Sequence, residues 1–153
     1  MNDQAATNPD RGDAKAVARH SSWFPHDADV GIVGWGPSVE DAFVAAAEAM
    51  FGVTLDLDAI RPTTTIRVAF EETDPELALV RWLNALLGEG RAAGLALGKF
   101  WLRREGDRWL GEAAGEPWRD DLARGTEVKG ATLTMLAVRP CHAGWEARCV
   151  VDV

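Results

Sequence analysis

Two runs of apolar residues at helical spacing, each flanked by stretches that alternate apolar and polar, constrain this chain more than any other feature. A period of 3.6 buries one stripe of a helix, and a period of 2 buries one face of a sheet. The chain must therefore cover the dry side of a sheet with two helices. In the first run Ser38 opens the helix, and Asp41 three residues on makes an Asp version of the capping box. Val39, Ala42, Phe43, Ala46, Met50 and Phe51 share a face, with Met50 and Phe51 read as core, and Gly52 supplies the stop. In the second run Asp74 is the N-cap and Pro75 the first helical residue, where a missing N–H costs nothing. Leu79, Val80, Leu83, Leu86 and Leu87 form its buried stripe, Gly88, Gly90 and Gly94 weaken its end, and Trp82 lies off the stripe toward a sheet margin.

The remaining segments are expected to be strands. Asp29 to Trp35 is short and partly β-branched, ended by Gly34, Gly36 and Pro37; Thr63 to Glu71 alternates with Ile66, Val68 and Phe70 on one side. Leu95 to Arg104 and Arg108 to Ala114 flank the turn Glu105–Gly106–Asp107, a hairpin signal. Gly115 to Gly125 is expected as a polar loop, Val128 to Val138 as one long strand, Pro140 to Gly144 as a turn, and Trp145 onward as the final strand. There is no parallel strand–helix–strand rhythm with a phosphate loop. The expected class is α+β, two helices packed on a mostly antiparallel sheet.

The 153 residues fit one domain. No apolar run approaches the roughly 20 residues of a membrane span. Residues 1–18 are polar and lack the apolar core of a secretion signal, and residues 1–21 are expected to be a disordered tail ahead of a domain at 22–153. Cys141 and Cys149 are expected as reduced thiols in a cytoplasmic protein, and no CxxC or Cys/His cluster suggests zinc. The net charge of −8 repels phosphate backbones, so unaided nucleic-acid binding is a poor expectation. Acidity suits a cation or a basic protein partner.

No Walker loop, dinucleotide fingerprint, HExxH or nucleophile elbow is present. Three places could carry chemistry. His26–Asp27–Ala28–Asp29 gathers an imidazole and two carboxylates just ahead of a strand; its bland reading is a solvated Asx-type turn. The sequence stops at Asp152–Val153 while still in strand alternation, which would set two kinds of carboxylate side by side, a fit for a hard cation, or else leave a hydrated end. Glu127 and Lys129 share one face of an expected strand, either as a surface ion pair or with Lys129 as a fixed positive charge beside an acidic site.

Five of these segments, in order, resemble the archease family. They are His26-Asp27-Ala28-Asp29-Val30-Gly31-Ile32; Ser38-Val39-Glu40-Asp41-Ala42-Phe43 with Ala45-Ala46-Ala47; and Leu79-Val80-Arg81-Trp82-Leu83-Asn84-Ala85-Leu86-Leu87. They continue with Gly125-Thr126-Glu127-Val128-Lys129-Gly130-Ala131-Thr132 and with Gly144 to Arg148 running to Val151-Asp152-Val153. The resemblance implies a protein activator of the GTP-dependent RNA-splicing ligase of tRNA splicing and RNA repair. Such an activator promotes ligase guanylylation and multiple turnover, and is not an enzyme itself. It implies a calcium site on Asp29, Asp152 and Val153, ranks Lys129 next for function, and has RNA met only through the ligase. His26, Asp27 and Glu127 remain candidates for partner contact or activation. Asp27 stands where the family usually has Thr, and Val153 where Ile is commoner. Two other readings stay open: a metal-dependent hydrolase with His26 as general base, and a chaperone-like interaction module with a structural metal.

Overall fold

The protein is seen in a computed structural model that describes residues 17–153. Among the described residues, eight strands form two antiparallel sheets. The first is ordered β1 (His20–His26), β2 (Asp29–Gly36), β8 (Gly144–Asp152), β6 (Gly130–Ala131), with β7 (Ala137–Cys141) also paired to β8. The second is β3 (Thr64–Glu71), β5 (Arg108–Pro117), β4 (Leu95–Glu105). Helix α1 (Val39–Thr54) packs on β1, β2 and β8 of the first sheet and on β4 of the second, and α2 (Pro75–Ala93) packs on β3 and the β6 side. The α+β expectation holds, with the strands divided between two sheets. Among the described residues no helix is long and apolar enough to cross a membrane.

Local chemistry explains the helices. The Ser38 hydroxyl accepts the Asp41 N–H at 3.1 Å, and Asp74 accepts the Glu76 N–H at 2.9 Å. Each such cap contributes about 1 kcal/mol. Gly94 closes α2 in the left-handed conformation, φ 69°, which is the use of a glycine at that position. The alanine run of α1 lets it lie almost on β2. A Cβ at Gly34 would stand 2.3 Å from the Ala46 amide nitrogen, so only glycine fits beneath the helix. Between helices and sheets, Ile32, Phe43, Met50, Leu79, Leu83, Leu86, Leu97 and Trp109 form one core with almost no exposed surface.

Several expectations need correction. Trp82 is not marginal: it is fully buried, and its indole N–H donates to the Phe43 carbonyl at 2.9 Å. The two helices meet here, so the buried arc of α2 is wider than its leucine stripe. Gly52 does not stop α1, which runs on to Thr54 because nothing there takes the left-handed conformation; the Leu55 N–H closes the helix on the Phe51 carbonyl. The Gly115–Gly125 loop begins later, since β5 continues to Pro117. Glu116, near the end of that strand, is buried and tied to Arg119 of the loop at 2.9 Å and to the Arg61 N–H at 2.7 Å. The turn expected at Pro140–Gly144 narrows to His142 and Ala143, both at positive φ, and Pro140 sits in β7, at a sheet edge where its missing N–H is tolerated.

The long strand expected over Val128–Val138 is two short ones. Ala131 pairs with Val151 and Ala137 with Arg148, so both lie along β8; between them the regular ladder breaks, with Thr132 and Thr134 both bonded to the main chain of Val150. Met135 turns there at φ 55°, with Leu133 and Met135 exposed. Residues 1–16 of the expected N-terminal tail lie outside the described residues, and β1 already begins at His20. That strand is exposed at most positions, so it has no apolar alternation to betray it.

Candidate functional site

Strand register assembles the site. His26 of β1 pairs with Asp29 of β2, and Val30 pairs with Val151 of β8. One step further along that register sets Asp29 opposite Asp152, which itself pairs with Gly130 of β6. Directly opposed residues of an antiparallel pair share a face. His26, Asp29 and Asp152 therefore form one row across one end of the first sheet. Gly34 faces α1, so the odd-numbered Asp29 faces away from it.

Two main-chain bonds close this row. The Val153 N–H donates to Asp29 Oδ1 at 3.3 Å, so the last residue of the sequence lies against the first of β2. The Lys129 N–H donates to the Asp152 carbonyl at 2.8 Å, which brings Lys129 to the same end. No Lys, Arg or His side chain forms an ion pair with Asp29 or Asp152 among the described residues. Asp152 is exposed, and Asp29 is partly buried. Also among the described residues, no three His, Cys, Asp or Glu side chains gather closely enough to hold a metal. Two carboxylates are thus the side-chain share of any cation site here, and other oxygens must come from the main chain, water or a partner.

The other expected residues divide. Asp27 is the left-handed turn residue between β1 and β2, φ 51°, with its side chain 93% exposed and 3.9 Å from the His26 ring. It points to water rather than into the row. Glu127 and Lys129 do not lie on a strand: residues 122–129 carry no regular structure, because β6 starts only at Gly130. The two are exposed on either side of buried Val128, and no ion pair joins them among the described residues. Glu127 instead rims a cavity of about 480 Å³ floored by Phe51, Leu87 and Leu97.

Two positioning residues escaped the sequence reading. Asn84 of α2 donates to the Ala131 carbonyl at 3.3 Å and accepts the Ala131 N–H at 2.9 Å. Arg91, two turns further on, donates to the carbonyls of Val128 and Lys129. Together they strap the short edge segment 128–131 to the helix and so hold Lys129 beside the row. A polar pair seven residues apart, next to an apolar stripe, was the signal available. Both cysteines are free. Burial pushes the Cys149 thiol up to about 12, which leaves it protonated and a poor metal ligand.

Comparison with known proteins bears on the family and the fold. The model of the Archease protein family matches residues 22–153. Among curated relatives, the protein archease of Saccharolobus solfataricus is 33% identical over 138 residues, covering 88% of this chain and 99% of its own. That of Methanosarcina mazei is 30% identical over 142 residues, 86% of this chain and 94% of its own. The solution structure of protein 1598 of Methanobacterium thermoautotrophicum superposes with a TM-score of 0.73 at 27% identity, over 87% of this chain and 98% of that one. The crystal structure of an archease described as a possible chaperone, from Thermotoga maritima, shares the fold, with a TM-score of 0.59 at 20% identity over 85% and 94%. On the family match and these relatives, the chain belongs to the archease family, whose members are activator proteins rather than catalysts.

Proposed function

We propose that the chain activates a GTP-dependent RNA-splicing ligase from the row at the end of the first sheet, using a divalent cation held there. The observation that carries this reading is the bond from the Val153 N–H to Asp29 Oδ1, which joins residues 124 positions apart at one acidic spot. The donor chemistry fits a hard cation: two aspartates without an ion-pair partner among the described residues, and main-chain oxygen at Val153, whose N–H already lies against Asp29. Asp29, Asp152 and Val153 would hold the ion, and calcium suits that set; it would supply a positive Lewis-acidic charge at the surface.

Three protein residues cannot complete a calcium shell of about 6–8 oxygens, so positions remain for water or for the ligase. Such an open coordination shell on the surface is suited to docking. The chain's own residues do the rest. Asn84 and Arg91 fix the segment that carries Lys129, which presents a positive charge beside an acidic patch. His26 flanks the row as a contact residue. The acidic balance of the chain favours a basic protein partner over RNA as the primary contact, and the setting is cytoplasmic tRNA splicing or RNA repair.

The test is a multiple-turnover ligation assay with the cognate ligase and GTP. The protein is expected to raise turnover beyond one product per ligase. Asp29→Asn and Asp152→Asn are expected to lose that stimulation while still folding. Full stimulation by both variants refutes the reading.

A further inference from the structure

The outward face of the second sheet takes no part in the site above. Register sets out its centre in two rows: Arg67–Glu112–Trp101, then Ala69–Leu110–Arg103. Lys99 lies on the same face, two residues before Trp101 on β4. The six residues of the two rows line most of a groove of about 670 Å³, in which Trp101 is 50% exposed and the Arg67 side chain 82%. An indole left half in water on a rigid sheet is unusual for a residue of such apolar area.

The charges around it are incompletely spent. Glu112 takes only the Nε of Arg67, at 3.1 Å, and Glu105 takes one terminal nitrogen of Arg103. Each guanidinium keeps further donors, and among the described residues Lys99 has no ion-pair partner. On a chain of net charge −8 this face gathers cations around an open aromatic ring. Its apolar part, Trp101, Leu110 and Ala69, is interleaved with charged side chains, whereas the core of a protein interface is depleted of them.

We propose that this face binds single-stranded RNA, one base stacking on Trp101 and the backbone phosphates meeting Arg67, Arg103 and Lys99. A flat ring recognises the face of an unpaired base, which a duplex hides, and guanidinium groups with free donors suit phosphate oxygens. The stack-and-cation chemistry stands on the sheet alone; the choice of RNA over DNA rests on the ligase reading. Net charge, which argued against nucleic acid, averages over the whole surface and conceals a local face of this kind.

The experiment is fluorescence anisotropy of a labelled ten-nucleotide single-stranded RNA with the full chain, at low salt and without ligase. Binding is expected to weaken about tenfold in Trp101→Ala and to survive in Trp101→Phe. The double variant Arg67→Ala/Arg103→Ala is expected to flatten the salt dependence by about 1.4 in log–log slope, about 0.7 per phosphate. All three sites are exposed, and unchanged thermal melts confirm folded variants. Absence of RNA binding, or binding indifferent to these variants, overturns the proposal. So does tighter Trp101-dependent binding of the same DNA sequence, or a Trp101-dependent dimer in sedimentation. Because no ligase is present, failure here leaves the activation reading intact, and loss of activation in Asp29→Asn leaves this one intact.

Discussion

Asp29→Asn separates charge from structure at the acidic row. Asparagine keeps the volume and the Oδ1 acceptor for the Val153 N–H, so Val153 stays where it is. What disappears is one unit of negative charge. The site lies at the surface, with Asp152 exposed, so a water-like dielectric applies. A unit charge pair about 4 Å apart is then worth about 1 kcal/mol, and a divalent ion doubles this to about 2 kcal/mol. That corresponds to roughly 30-fold weaker cation binding. With calcium at a hundredfold excess over the native dissociation constant, the native chain gains about 2.7 kcal/mol, whereas the variant, at about a threefold excess, gains about 0.8 kcal/mol. At roughly 3 °C per kcal/mol for a domain of this size, calcium should raise the melting temperature by about 8 °C in the native chain and about 2.5 °C in the variant. The assay is a thermal melt with chelator and with calcium. The chelated variant should melt no lower than the native chain, since one repulsive charge between neighbouring carboxylates has gone. An equal calcium shift in both proteins, or none in the native chain, would refute the reasoning.

Trp82→Phe should destabilise by about 2–3 kcal/mol in urea unfolding, about 1 for the indole bond to Phe43 and the rest for the buried ring atoms lost; a change below about 0.5 kcal/mol would contradict the tight joint between helices. The hydrogen bonds that Arg119 and the Arg61 N–H make to Glu116 hold its carboxyl below the usual carboxylate range. Its stabilising contribution is therefore present above the unfolded pKa of about 4.3 and lost as pH falls through the lower folded value. Glu116→Gln should melt below the native chain at neutral pH, and the gap should close on acidification; a gap constant from pH ~7 to pH ~3 would remove that account. Arg91→Ala frees the carbonyls of Val128 and Lys129, so it should cut stimulation of the ligase more than it lowers the melting temperature, and the reverse outcome would make Arg91 a stability residue only.

Local chemistry made much of this protein legible in its sequence. Both N-caps, the Pro75 start, the alternation of Thr64–Glu71, the hairpin at Gly106 and the last strand depend on neighbours a few residues away, and each stands close to where its residues placed it. Asp29, Asp152 and Val153 could be singled out in the sequence as a proposed set only through the family resemblance, and that they lie together follows from strand register. What the sequence could not determine was where segments meet. Strand β1 is mostly exposed, lacks apolar alternation and is recognisable only by its pairing with β2. The span Val128–Val138 alternates like one strand but divides because β8 accepts two short partners with a loop between them. Trp82 is buried by the approach of α1, and Asn84 and Arg91 gain their roles only from a strap about 40 residues downstream. Propensity and capping act within a turn of chain, whereas register, burial and the gathering of charge depend on packing between distant segments, and that belongs to the tertiary structure alone.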